Sequence, residues 1–122
     1  MTRERIDDLE ELRQRLAAFA AARDWDQFHA PKNLAMALIA ECAELVEHFQ
    51  WLTEEQSTTL TPAKIAAVRL ELADILIYLV RISDKLNIDL LAATRDKIAI
   101  NEERYPAEKV QGDARRASEY EI

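Results

Sequence analysis

The chain has one glycine and three prolines in 122 residues, and a single cysteine. So little glycine and proline leaves scant material for the tight turns of a many-stranded sheet, and the Ala-, Leu- and Ile-rich remainder favours long helices. One cysteine excludes an intramolecular disulfide and a cysteine-based zinc cluster within a chain. Cys42 has apolar neighbours and reads as a packed thiol rather than a nucleophile. No stretch approaches the ~20 apolar residues of a membrane span. The opening MTRERIDDLEELRQ is charged, not apolar, so a cytoplasmic protein with no membrane partner is expected. There is no Gly-rich phosphate loop and no G-x-S-x-G or Cys/His arrangement, which sets aside P-loop and covalent chemistry. Positive charge is also short. A formal net charge of −7 argues against a nucleic-acid partner, because phosphate backbones are held by clustered Lys and Arg. A small phosphate compound remains compatible if a divalent metal lies between the two sets of negative charge.

What is present is helical periodicity. The chain reads as one all-α domain over residues 1–106 and a charged tail, 107–122, that is mobile or docked on a neighbouring subunit. Ile6, Leu9, Leu12, Leu16 and Phe19 recur at steps of three and four, predicting a first helix over about 5–23. RDWDQFHAPKN breaks the pattern, with Pro31 suited to the first turn of the next helix. From about Lys32 to Leu52 apolar residues point in many directions, as in a helix buried on more than one face. TEEQSTTLTP reads as a polar loop, Thr61 as a cap with Pro62 behind it, and the third long helix runs to about Leu86. Asp89 is the expected cap of a fourth helix, Leu90 to Arg104, closed off by Pro106 and Gly112.

Within two of these apolar helices sit four acids. Glu41 and Glu44 lie about 60° apart on their helix, in the sector that holds Leu34, Ala37, Leu38 and Leu45. Glu71 and Asp74 repeat the arrangement among Val68, Ile75, Tyr78 and Ile82. Both pairs are expected to face inward and, on antiparallel neighbouring helices, to meet at one level of the bundle. Burying unpaired carboxylates costs several kcal/mol each, roughly, so something positive must compensate. An all-oxygen set suits Mg²⁺, with Mn²⁺ as the alternative. A di-iron site would need Glu-x-x-His, which neither His29 nor His48 completes. The plainer reading, acids bonded to solvent or to Lys and Arg, is favoured for one such pair, whereas two on adjacent helices favour the metal.

Glu41-x-x-Glu44, then 26 intervening residues, then Glu71-x-x-Asp74, together with RDWDQFHAPKNLAMALIAECAELVEHFQW, ELADILIYLVRISDKLNIDL and KIAINEERYP, resembles the MazG-like all-α nucleoside triphosphate pyrophosphohydrolases, in particular their dCTP pyrophosphatase branch. The resemblance implies a four-to-five-helix MazG-like bundle assembled through helix packing between subunits, as a homotetramer built from two tight dimers. It implies hydrolysis of a nucleoside triphosphate, dCTP or a modified dCTP foremost, to the monophosphate and pyrophosphate in nucleotide-pool housekeeping. Mg²⁺ would be held by Glu41, Glu44, Glu71 and Asp74, with Glu71 also acting partly as base. Trp25, Asp26, Gln27, Phe28 and His29, with Trp51 and Tyr78, correspond to the pocket for base and sugar, where aromatic faces stack and polar edges bond. Ordinary packing is the competing account of Trp25, Phe28 and Trp51. Lys97, Asn101 and Arg104 fall on one helical stripe beside Tyr105, and the resemblance turns that stripe toward the phosphates. Lys32 and Asn33 are further candidates for the same role. The resemblance departs at Leu16, where the animal enzymes of this branch carry a substrate-contacting histidine. A non-catalytic helical bundle that binds a nucleotide or a protein is the alternative function.

Overall fold

The structure, a computed structural model, describes residues 5–119, and all regular structure among them is helical. The readings made for residues 1–4 and for 120–122 of the tail lie outside the described residues. The chain divides into two compact units, one ending at Ile88 and the other starting at Asp89.

In the first unit, α1 (Leu9–Ala22) starts at Asp8, whose side chain accepts a hydrogen bond from the Glu11 N–H at 2.8 Å. The helix therefore begins after the expected residue 5, where the cap satisfies an otherwise orphaned donor. A 3₁₀ turn (Asp26–Phe28) leads to α2 (Pro31–Glu47). That helix stops short of Leu52: the amides of His48 and Phe49 reach back only three residues, to Leu45 and Val46, and tighten the last turn. The stretch read as a loop holds a short helix, α3 (Glu54–Ser57), set by a reciprocal cap between Thr53 and Gln56. Thr61 and Pro62 open α4 (Pro62–Lys85) as expected.

Glycine scarcity leaves a mark at the helix ends. After α1 and α4 the chain reverses through Asp24 and Asn87, at φ 53° and 55°. In both places two amides fold back over the last turn, Trp25 to Ala20 and Asp24 to Ala21, then Ile88 to Ser83 and Asn87 to Asp84. This left-handed C-terminal cap usually takes glycine, and Asp and Asn are the side chains that tolerate it best.

α4 packs on α2 and on α1. Among the described residues, the buried apolar side chains Ala20, Leu34, Val68 and Val80 come from these three helices. The expectation that the second helix is buried on more than one face does not hold within one chain. Packing on α4 covers one side only and leaves Met36, Ile39 and Val46 exposed, as are Ile65, Leu70, Leu72 and Leu76 of α4. In the second unit, α5 (Leu90–Arg104) is capped by the Asp89 carboxylate and followed by the short α6 (Ala107–Val110) and a 3₁₀ turn (Ala117–Glu119). No helix of the described residues is long and apolar enough to cross a membrane.

Candidate metal and nucleotide site

α2 and α4 run antiparallel: His48, near the end of α2, meets Lys64 and Glu71, whereas Glu41, two turns earlier, is influenced by Glu71 and Asp74. This pairing brings Glu41, Glu44 and Glu71 together, with one carboxylate oxygen of each within 4.8 Å of the others. Asp74 stands outside that trio, one turn along α4, yet its charge still acts on Glu41. Glu41, Glu71 and Asp74 are half-buried, but Glu44 is exposed at the rim instead of facing inward. Its rotation of about 60° from Glu41 carries it past the strip that α4 covers.

The cluster is electrostatically incomplete. Burial pushes the Glu41 carboxyl up to about 7, helped by hydrogen bonding with Glu44, the Glu44 and Asp74 charges, and a hydrogen bond with Glu71. Glu41 Oε2 and Glu71 Oε2 are buried with no hydrogen-bond partner. Such atoms are rare because each forfeits its interaction with water. The nearest cation to Glu71 is conditional, His48 Nε2 at 3.7 Å from Oε1, and His48 Nδ1 lies 3.4 Å from Lys64 Nζ. Two orphaned hard oxygens in an all-carboxylate set are a donor arrangement that fits Mg²⁺ or Mn²⁺.

Toward the other end of α4, the aromatic turn is a built structure. Trp25 packs edge-on to Phe19 with centroids 5.6 Å apart, and its ring lies 6.3 Å from that of His29. Arg23 covers the other part of Phe19, 3.5 Å from the ring centroid. Several polar candidates hold the turn itself. The Gln27 amide donates to the Asp24 carbonyl and carboxylate, the Asn33 amide donates to the Phe28 carbonyl at 3.2 Å, and the Asp26 carboxylate accepts from Arg81 and Lys85 at 2.9 and 3.0 Å. Those two cations hold Asp26 below the ordinary carboxylate range, the Lys85 bond contributing most. Phe28 and Trp51 are 61% and 87% exposed, so core packing within the chain does not account for them. Tyr78 is half-buried on α4, one turn past Asp74.

Lys97, Asn101 and Arg104 are exposed along α5, in the second unit, and Arg104 lies 5.8 Å from the ring centroid of the half-buried Tyr105. Lys32, at the start of α2, is exposed as well.

The sequence reading missed Arg81. It is the buried cation among the described residues of the first unit, at 5% side-chain exposure, and it joins Asp26, His29 and Asp84, with Arg13 of α1 closing on Asp84 at 3.1 Å. The signal that singled out the four acids, a charge inside the apolar run Tyr78-Leu79-Val80, then Ile82, was present for it too.

Comparison with known proteins identifies the family. The chain is 43% identical over 113 residues to dCTP pyrophosphatase 1 of Homo sapiens, which covers 91% of this chain and 66% of the relative. It is 44% identical over 108 residues to the Mus musculus protein of the same name, covering 87% and 64%. It therefore spans just under two thirds of the length of these relatives. The crystal structure of a pyrophosphatase from Archaeoglobus fulgidus superimposes with a TM-score of 0.77 at 34% identity, over 87% of this chain and 99% of that one. The profile of the MazG-like family matches residues 37–119, which include all four acids, and the chain belongs to the MazG-like family.

Proposed function

We propose that the chain is a Mg²⁺-dependent nucleoside triphosphate pyrophosphohydrolase, with dCTP or a modified dCTP as its preferred substrate and nucleotide-pool housekeeping as its role. The observation that carries this is the pair of partnerless buried oxygens on Glu41 and Glu71, in an acid cluster of a MazG-like chain. The names of the human and mouse relatives support dCTP.

In the reaction, the oxygen of water bonds to phosphorus, the α–β phosphoanhydride breaks, and the products are monophosphate, pyrophosphate and a proton. A bound divalent cation would neutralise the triphosphate and acidify nearby water. Glu41, Glu44, Glu71 and Asp74 would hold the cation, and Glu71 would act partly as base toward the attacking water. Trp25, Phe28 and His29, with Trp51 and Tyr78, receive the base and sugar. Asp26, Gln27 and Asn33 keep the turn in shape. Lys97, Asn101 and Arg104, beside Tyr105, serve the phosphates, a cationic and amide stripe suited to the leaving pyrophosphate. The apolar side chains left exposed on α2 and α4 support assembly into a homo-oligomer, a dimer of dimers, since a surface this apolar marks an interaction site.

The test is pyrophosphate release from a panel of dNTPs and NTPs with Mg²⁺, beside the Glu41→Gln variant. Release confined to the native chain and greatest with dCTP is expected. Release from none of the nucleotides, with Mg²⁺ still bound, would leave a non-catalytic binding bundle instead.

A further inference from the structure

Arg81 is buried at the far end of the stripe that carries Glu71, Asp74 and Tyr78, at offsets of three, seven and ten residues on one helix. A buried guanidinium is retained only where its donors are met. Here each branch of the fork has a task. Nε and Nη2 approach His29 Nδ1 at 3.3 and 3.1 Å, Nη2 also donates to Asp26 Oδ1 at 2.9 Å, and Nη1 faces Asp84 Oδ2 at 3.5 Å. Asp84 is in turn held by Arg13, and Asp26 by Lys85, so the arrangement ties α1 and the aromatic turn to α4.

Arginine can only donate. His29 Nδ1 must therefore present its lone pair, which leaves the proton on Nε2. Burial and the Arg81 charge also lower the His29 pKa from its ordinary value, against the opposing charge of Asp26.

We propose that Arg81 is a positioning residue for the base end of the nucleotide site: from the helix that bears the acids, it fixes the place of the Asp26–His29 turn and the tautomer in which His29 donates through Nε2. This rests on reading the acid cluster as the phosphate end of that site. A lysine could supply the charge but not the fork that meets Asp26 and His29 together.

The test combines kinetics with the His29 imidazole spectrum. With dCTP and Mg²⁺, Arg81→Met is expected to raise KM about tenfold or more while kcat stays within about threefold, since positioning is lost and the acids are untouched. Mn²⁺ affinity should be unchanged. Arg81→Lys should recover only part of the KM. In ¹⁵N spectra the native His29 should show the Nε2–H tautomer, and Arg81→Met should lose it. Should Arg81→Met fail to fold, Arg81→Lys carries the kinetic test and the native His29 spectrum carries the tautomer test. A native KM in these variants, or Nδ1–H in the native His29, would overturn the proposal. So would parallel losses of kcat and Mn²⁺ affinity, which mean general damage. If the native chain turns over no nucleotide, the catalytic reading fails, and Arg81 is judged on the His29 spectrum and on dCTP binding by calorimetry.

Discussion

Two groups of half-buried charge sit on helix α4, and they are built on opposite terms. Around Arg81, the cations Arg13, Arg81 and Lys85 interleave with Asp26 and Asp84, and every one of these side chains has an opposite partner within 3.1 Å. Around Glu41 and Glu71 like charges crowd together, two oxygens have no partner, and Glu41 keeps a proton to about pH 7. The first group is complete as the chain folds and serves to hold elements together. The second leaves two buried carboxylate oxygens unmatched, a condition that a bound cation would relieve.

The largest expected effect comes from Glu41→Gln. Pyrophosphate release should fall by about a thousandfold or more if the acid holds the cation that stabilises the transition state, as steady-state assays would show. An activity within tenfold of native would remove Glu41 from the site. Next in size is the cation itself. Mg²⁺ or Mn²⁺ at a hundred times its Kd should stabilise the native chain by about 2.7 kcal/mol, read as a rise in melting temperature, with little or no rise in Glu41→Gln.

The two groups should then respond with opposite signs to losing one acid. In metal-free protein, Asp84→Asn should cost about 1 kcal/mol, because Arg81 and Arg13 lose a charged acceptor. Above about pH 7, Glu41→Gln should be neutral or stabilising, since an amide can donate to Glu44 or Glu71 where a carboxylate repels them. Denaturant titration of both variants decides this. If both destabilise equally, the acid cluster carries no electrostatic strain.

A further effect is on pH dependence. Glu41 binds its proton more tightly folded than unfolded, so its contribution is fully retained below the ordinary value of 4.5. Metal-free stability should decline as pH rises from there to about 7, and level off above. The decline should be absent in Glu41→Gln and suppressed by saturating Mg²⁺.

Much of this was legible in the sequence where a local rule carried it. Thr61-Pro62 and Asp89 mark helix starts through capping chemistry, and both stand where expected. The acid pairs were visible because charge interrupted an apolar period, and the structure brings three of the four together. Glu44 joins the trio but is exposed instead of facing inward, because rotation on a helix fixes direction but not how far the neighbouring helix reaches. The end of α2 was overrun because Phe49, Trp51 and Leu52 continue the apolar composition, while the backbone there already turns through three-residue bonds. Arg81 was passed over because its partners, Asp26 and His29, lie more than fifty residues away and only the tertiary fold assembles them.

α4 has neither glycine nor proline after Pro62, and Glu71 and Arg81 stand ten residues apart on it, a span of about 15 Å at helical rise. One inserted or deleted residue between them would swing Arg81 by about 100° relative to the acids. The polar connection at 53–61 can absorb changes of length at little cost. Length variation among sequences of this kind should therefore be forbidden within 71–81 and tolerated in the connection that precedes the helix.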